Sequence, residues 1–136
     1  MILVLDTNIL ISALIRDSHT WHLIIYGTGD LCYPESALQE ILDHKEEIVE
    51  KAGISTEEFN ALFAILLRYI QLVPTVDMMP FLSKAEETMQ DVDPKDAIFI
   101  AAALSRKASI WSNDKHLKEQ RLVSVFTTVE LSQDPG

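Results

Sequence analysis

Asp91-Val-Asp-Pro-Lys-Asp96 is an acidic run that gives way to an unbroken apolar stretch, Ala97-Ile-Phe-Ile-Ala-Ala-Ala-Leu104. Proline is favoured at the first helical position, which makes Asp93 an N-cap and puts Asp96 in the first turn, where the helix dipole favours an anion. A helix that is apolar on nearly all sides is a buried one. A carboxylate-lined entrance to such a helix suits a divalent cation. It equally suits a well-capped core helix, and the residues alone leave both readings open. Two more carboxylates stand in comparable places. Asp6 follows the apolar run Ile2-Leu-Val-Leu5, and Asp114 follows Ala108-Ser-Ile-Trp111 by way of Ser112-Asn113. Each reads as a carboxylate at the end of a buried strand and ahead of a helical segment, the place where open α/β sheets bind ligands. For Asp6 a helix N-cap is the competing reading.

These carboxylates meet only if the intervening chain brings them to one edge. Strands are expected at 2–5, 31–33, 108–111 and 122–126, with an extended segment at 71–76. Helices are expected at 9–15, 19–26, 36–52, 55–70, 81–89 and 97–107. Ser55-Thr-Glu-Glu58 is a capping box that marks one start, and Gly53 marks the preceding stop. Within 36–52 the apolar residues recur at helical spacing and leave Glu40 opposite the core face, where a glutamate is usually solvated. Strands alternating with helices predict a central parallel sheet of four to five strands, doubly wound, with helices on both faces. Right-handed crossovers then put the carboxyl ends of all strands, and so Asp6 and Asp114, on one edge. One domain over 1–130 is expected, with a polar C-terminal tail from Thr127 onward whose last residues, 131–136, lie outside the domain.

The 136 residues are 48% hydrophobic and 24% charged, ordinary for a globular chain long enough to bury a core. The net charge of −10 is unfavourable for a simple nucleic-acid binder. Its distribution matters more. Residues 1–83 carry four Lys/Arg against twelve Asp/Glu, whereas 84–121 carry seven of each. Lys95 and Lys115 in that balanced third are candidate phosphate contacts, with Lys118 nearby; a solvated face is the plainer reading. The single cysteine, Cys32, reads as a reduced core thiol, and no Cys/His cluster exists to hold zinc. The N-terminus lacks the basic segment of a signal peptide, and no apolar run is long enough to span a bilayer, so a cytoplasmic location is expected.

Four pieces in order, Asp6-Thr-Asn8, Ser36-Ala-Leu-Gln-Glu-Ile41, Asp93-Pro-Lys-Asp-Ala-Ile-Phe-Ile-Ala-Ala-Ala-Leu104 and Ser112-Asn-Asp114, resemble the PIN-domain ribonucleases. The chain looks most like the small stand-alone prokaryotic members, many of them VapC-like toxins of toxin–antitoxin pairs. The resemblance implies an acidic quartet, Asp6, Glu40, Asp96 and Asp114, that holds Mg²⁺ or Mn²⁺, with Asp93 as a further acidic ligand. It implies hydrogen-bonding support from Asn8 and Ser112. It further implies endoribonuclease activity that leaves a 5′-phosphate and a 3′-hydroxyl, an RNA substrate, an antitoxin protein as partner, and a homodimer formed through apolar residues of Phe59–Ile70. The residue types suit that chemistry, because hard cations take carboxylate oxygens and water. A phosphatase of the haloacid dehalogenase type also begins with a strand ending in Asp, but it wants a second Asp where Asn8 stands. A non-catalytic PIN-like module that binds RNA or a partner is the other alternative.

Overall fold

Ile2-Leu-Val-Leu5 is apolar at every position because it is the middle strand of a sheet covered on both faces. The computed structural model describes residues 1–15, 17–27 and 29–133. Chain order runs β1 (Ile2–Leu5), α1 (Thr7–Leu14), α2 (Ser18–Tyr26), β2 (Asp30–Pro34), α3 (Leu38–Asp43), α4 (Lys45–Ala52), α5 (Thr56–Arg68), β3 (Ile70–Val73), α6 (Thr75–Met89), α7 (Ala97–Arg106), β4 (Ser109–Trp111), β5 (Val125–Phe126) and α8 (Thr128–Gln133). Short 3-10 turns at Glu35–Ala37, Pro94–Asp96 and Leu117–Glu119 join some of these.

The sheet order is β3-β2-β1-β4-β5, and every neighbouring pair is parallel. Leu3 aligns with Leu31 of β2 on one side, and Leu5 with Trp111 of β4 on the other. The chain steps from β1 outward to β2 and β3, then returns past β1 to β4 and β5. Right-handed crossovers in opposite directions put α1–α5 on one face and α6 and α7 on the other. Direct packing agrees: α1 touches α2, α3, α4 and α5, while α7 lies on β1, β2 and β4 and runs beside α6. The fully buried Ala101, Ala102 and Ala103 let α7 come close to the sheet. The winding direction reverses between β1 and β4, and that crevice is where a sheet of this kind accepts a ligand.

Four local expectations differ from the structure. The helix expected over 36–52 is divided at His44, whose ψ is 5°. No glycine or proline marks the break; it lets α4 settle against both α1 and α5. The helix expected from Phe81 starts at Thr75 and carries Pro80 inside it. Pro80 is exposed, so the Val76 carbonyl it leaves without a donor faces water, while Met78, Ala85 and Met89 anchor the inner side. The last strand is confined to Val125–Phe126, whereas 122–126 was expected. The buried Gln120 takes the backbone groups a longer strand would use: its Oε1 accepts Leu122 and Val123 N–H at 2.9 and 3.0 Å, and its Nε2 donates to Leu117 and Val123 carbonyls. The segment read as a polar tail contains α8. There Thr127 and Glu130 form a reciprocal cap, each side chain accepting the other's backbone N–H at about 3 Å.

Candidate active site

Asp6 follows the last residue of β1, as expected, and is the N-cap of α1. Its Oδ1 accepts the Ile9 N–H at 3.1 Å, and its Oδ2 accepts a short hydrogen bond from the Ser112 hydroxyl. It is only 5% exposed, and Ser112 is fully buried. Burial raises the Asp6 carboxyl above its ordinary value, and the Asp114 charge adds to this. The Ser112 hydroxyl and the backbone N–H groups of Ile9 and Asn8 oppose the rise.

Ser112 ties the two strand ends together. Besides donating to Asp6, its Oγ accepts the Asp114 N–H at 3.0 Å. The Asp114 carboxylate accepts the His116 N–H at 2.8 Å, lies 3.4 Å from His116 Nδ1 and remains partly exposed. Asn8 reaches the group through its backbone N–H, and its side chain lines a neighbouring groove with Ile11, His44 and Ile48.

Asp93 and Asp96 divide the work at the entrance to α7. Asp93 caps the 3-10 turn, its Oδ1 accepting the Lys95 N–H at 3.1 Å. Asp96 occupies the N-cap position of α7 but makes no side-chain capping bond, and among the described residues no protein hydrogen bond reaches its carboxylate. Its carboxyl is pushed up to about 6, first by burial and then by the charges of Asp93, Asp114, Asp6 and Glu40. Among the described residues no ion pair is made to it, and a carboxylate that feels four others lies in an anionic cluster.

Glu40 lies in the first turn of α3 and is exposed, as its helical position implied, yet its Oε2 accepts the Thr7 hydroxyl at 3.0 Å. Thr7 in turn lies 2.7 Å from the buried Tyr33 hydroxyl, which is 3.0 Å from the Ala37 carbonyl. Thr7 and Tyr33 were not singled out in the sequence. Thr7 stands inside the Asp-Thr-Asn run, which is a usable signal; for Tyr33, one aromatic residue in an apolar strand, no signal exists.

Lys95 and Lys115, next in sequence to Asp96 and Asp114, are exposed, and neither is in an ion pair among the described residues. Lys118 is engaged by Glu130.

A family profile described as a PIN domain matches residues 4–133. The chain belongs to the PIN-domain family. Solved structures show the same fold. VapBC2 from Rickettsia felis, crystallised on a DNA fragment from its promoter, aligns with a TM-score of 0.73 at 13% identity, covering 93% of this chain and 98% of that one. A toxin–antitoxin complex from Klebsiella pneumoniae aligns with a TM-score of 0.67, also at 13% identity, covering 93% and 97%. No curated protein matches the chain.

A PIN domain generally works with a divalent metal ion, and the donor set here fits a hard cation: oxygen donors and an excess of negative charge, with His116 Nδ1 3.4 Å from Asp114 Oδ1. Among the described residues, no three His, Cys, Asp or Glu side chains already converge tightly enough to share an ion. The carboxylates are within electrostatic reach of one another without being closed around a point. Ser112 and Ile9 hold Asp6, while the Asp96 carboxylate makes no side-chain capping bond.

Proposed function

We propose that this PIN domain is a divalent-metal-dependent endoribonuclease, and that it serves as the toxin of a toxin–antitoxin pair. The observation that carries the reading is the buried Ser112 hydroxyl bonded to both Asp6 and the Asp114 N–H where β1 and β4 end, with the Asp96 carboxyl raised by burial and by the charges of Asp93, Asp114, Asp6 and Glu40. Asp6, Asp96 and Asp114 are the proposed principal ligands of Mg²⁺ or Mn²⁺, with Glu40 and Asp93 at the rim. A cation held there supplies positive charge that activates water and steadies phosphate oxygens. The protein's own part is positional. Ser112 fixes Asp6 relative to Asp114, the 3-10 turn capped by Asp93 presents Asp96, and Lys95 and Lys115 offer charge to the flanking phosphates of an RNA strand. The toxin assignment draws on the likeness to toxin–antitoxin complexes.

The test is incubation of a mixed RNA pool with the protein in Mn²⁺ or in chelator, with Asp96→Asn as control. Mn²⁺-dependent fragments carrying 5′-phosphates are expected from the wild-type chain alone. A second reading, a PIN module that binds RNA or a partner without cutting, draws on the absence of three converged ligands among the described residues. RNA retention without fragments would favour it.

A homodimer is also proposed. On α5, Leu62, Phe63, Ile65 and Leu67 are only partly buried and Tyr69 just beyond is 46% exposed, leaving apolar area that a second copy would cover. Light scattering at micromolar concentration should give twice the chain mass of 15.3 kDa; a monomeric mass contradicts this. No helix among the described residues is long and apolar enough to cross a membrane.

A further inference from the structure

Tyr33 is fully buried at the end of β2, and three elements of the cluster meet on it. Its ring lies 6.2 Å from that of Phe99 on α7, the helix whose entrance presents Asp96. Its hydroxyl lies 2.7 Å from Thr7 Oγ1, one residue beyond Asp6, and 3.0 Å from the carbonyl of Ala37, which leads into the helix of Glu40. Thr7 completes the line with its contact to Glu40 Oε2 at 3.0 Å.

Counting protons orients this line. Two hydroxyls offer two protons to three contacts. Thr7 Oγ1 donates to Glu40 Oε2, so it accepts from Tyr33. The Ala37 carbonyl can only accept, so the Tyr33 hydroxyl donates to it as well, its proton shared between Thr7 Oγ1 at 2.7 Å and that carbonyl at 3.0 Å. The donor direction is therefore Tyr33 to Thr7 to Glu40. Burial holds the Tyr33 phenol well above its ordinary value, so it keeps its proton.

We propose that Tyr33 is a positioning residue for Glu40, its buried hydroxyl setting Thr7 and Thr7 setting the carboxylate. Without that line an exposed glutamate near the start of a short helix would sample many rotamers. With it, one carboxylate oxygen is tied to a rigid strand end beside Asp6. The inference rests on the metal-site reading above and adds to it a residue with no oxygen near the ion. Support of this kind behind a metal ligand usually changes affinity by about 10–100-fold.

The experiment is Mn²⁺ titration calorimetry on the wild-type chain, Tyr33→Phe, Thr7→Val, Glu40→Ala and the Tyr33→Phe/Glu40→Ala pair, with thermal melts of each in chelator. Tyr33→Phe keeps the ring and its packing, and Thr7→Val keeps the shape of a β-branched side chain, so each removes one hydroxyl from the line. About tenfold weaker Mn²⁺ binding is expected for both. In the Glu40→Ala background Tyr33→Phe should have no further effect, since there is nothing left to position. A purely structural role would lower the melting temperature and weaken binding additively with Glu40→Ala; that result overturns the inference. Wild-type affinity in Tyr33→Phe, where Glu40→Ala binds more weakly, overturns the inference and leaves the metal reading standing. Absence of saturable Mn²⁺ binding to the wild-type chain overturns both.

Discussion

Asp96→Asn is expected to abolish RNA cleavage and yet melt no lower than the wild-type chain in chelator. Loss of a ligand should cost about 10³-fold or more in rate, because the several kcal/mol a cation contributes to the transition state convert at about 1.4 kcal/mol per decade. The stability side is a contest between two effects. An anion at a helix N-terminus contributes about 0.3–1 kcal/mol through the dipole, but Asp96 makes no capping hydrogen bond, so nothing further is lost. Against this stands the raised carboxyl, at about 6 against an ordinary 3.8. Near two units corresponds to about 3 kcal/mol, and partial solvent contact brings the usable figure to about 1–2 kcal/mol.

The direction with pH follows from that rise. Between about 4 and 6 the folded protein holds a proton at Asp96 that the unfolded chain has released. Stability in chelator therefore falls as pH is raised through this window and stays at its lower level at neutral pH. Asp96→Asn should show a flatter profile over the same window and match or exceed the wild-type melting temperature at pH 7. In saturating Mn²⁺ the order should reverse, because only the wild-type chain gains the full binding term. If Asp96→Asn melts well below wild type in chelator, Asp96 is chiefly a structural cap and the proposed catalytic role loses its firmest support.

Asp6 should behave differently, because half of it belongs to the fold. Asp6→Asn keeps an oxygen for the Ile9 N–H and should remain within about 1 kcal/mol of wild type in chelator while losing cleavage. Asp6→Ala removes the N-cap, typically worth about 0.5–2 kcal/mol. It also strips the fully buried Ser112 hydroxyl of its acceptor, a further cost of about 1–3 kcal/mol. Relief of the burial strain on the Asp6 charge offsets part of this. The net loss expected is about 1–3 kcal/mol, measured as a lower urea midpoint with an unchanged slope. Equal midpoints for Asp6→Ala and Asp6→Asn would mean that the capping and Ser112 contacts contribute nothing to folding.

The placement of these residues was legible where one strong signal acted alone. Ile2–Leu5 and Ala97–Leu104 are apolar throughout, and only burial on all sides explains such runs; the middle strand and the sheet-facing helix follow. Asp6 and Asp114 follow apolar strands, and parallel winding puts the carboxyl ends of those strands on one edge. Other features were written in contacts between distant segments. The break at His44 has no breaker residue behind it, and Gln120 shortens β5 through side-chain bonds that leave no periodic trace. Tyr33 looks like any core aromatic until its hydroxyl is seen beside Thr7. The start of α8 is a different matter. Thr127-Thr-Val-Glu130 carries the same capping pattern as Ser55-Thr-Glu-Glu58, and the polar composition of the tail obscured it. Glu40 lies between these cases: its exposure was readable from helical spacing, and its bond to Thr7 was not.

The most direct measurement is an anomalous-difference map from a crystal of the wild-type chain grown with Mn²⁺. The expected map has a peak in the crevice between the ends of β1 and β4. That peak should lie within about 2.0–2.2 Å of carboxylate oxygens from at least two of Asp6, Asp96 and Asp114, the distance that small hard cations keep to oxygen. A map with no peak there at saturating Mn²⁺, or with Mn²⁺ only at surface carboxylates away from these three, would contradict the assignment of the cluster as a metal-dependent nuclease site.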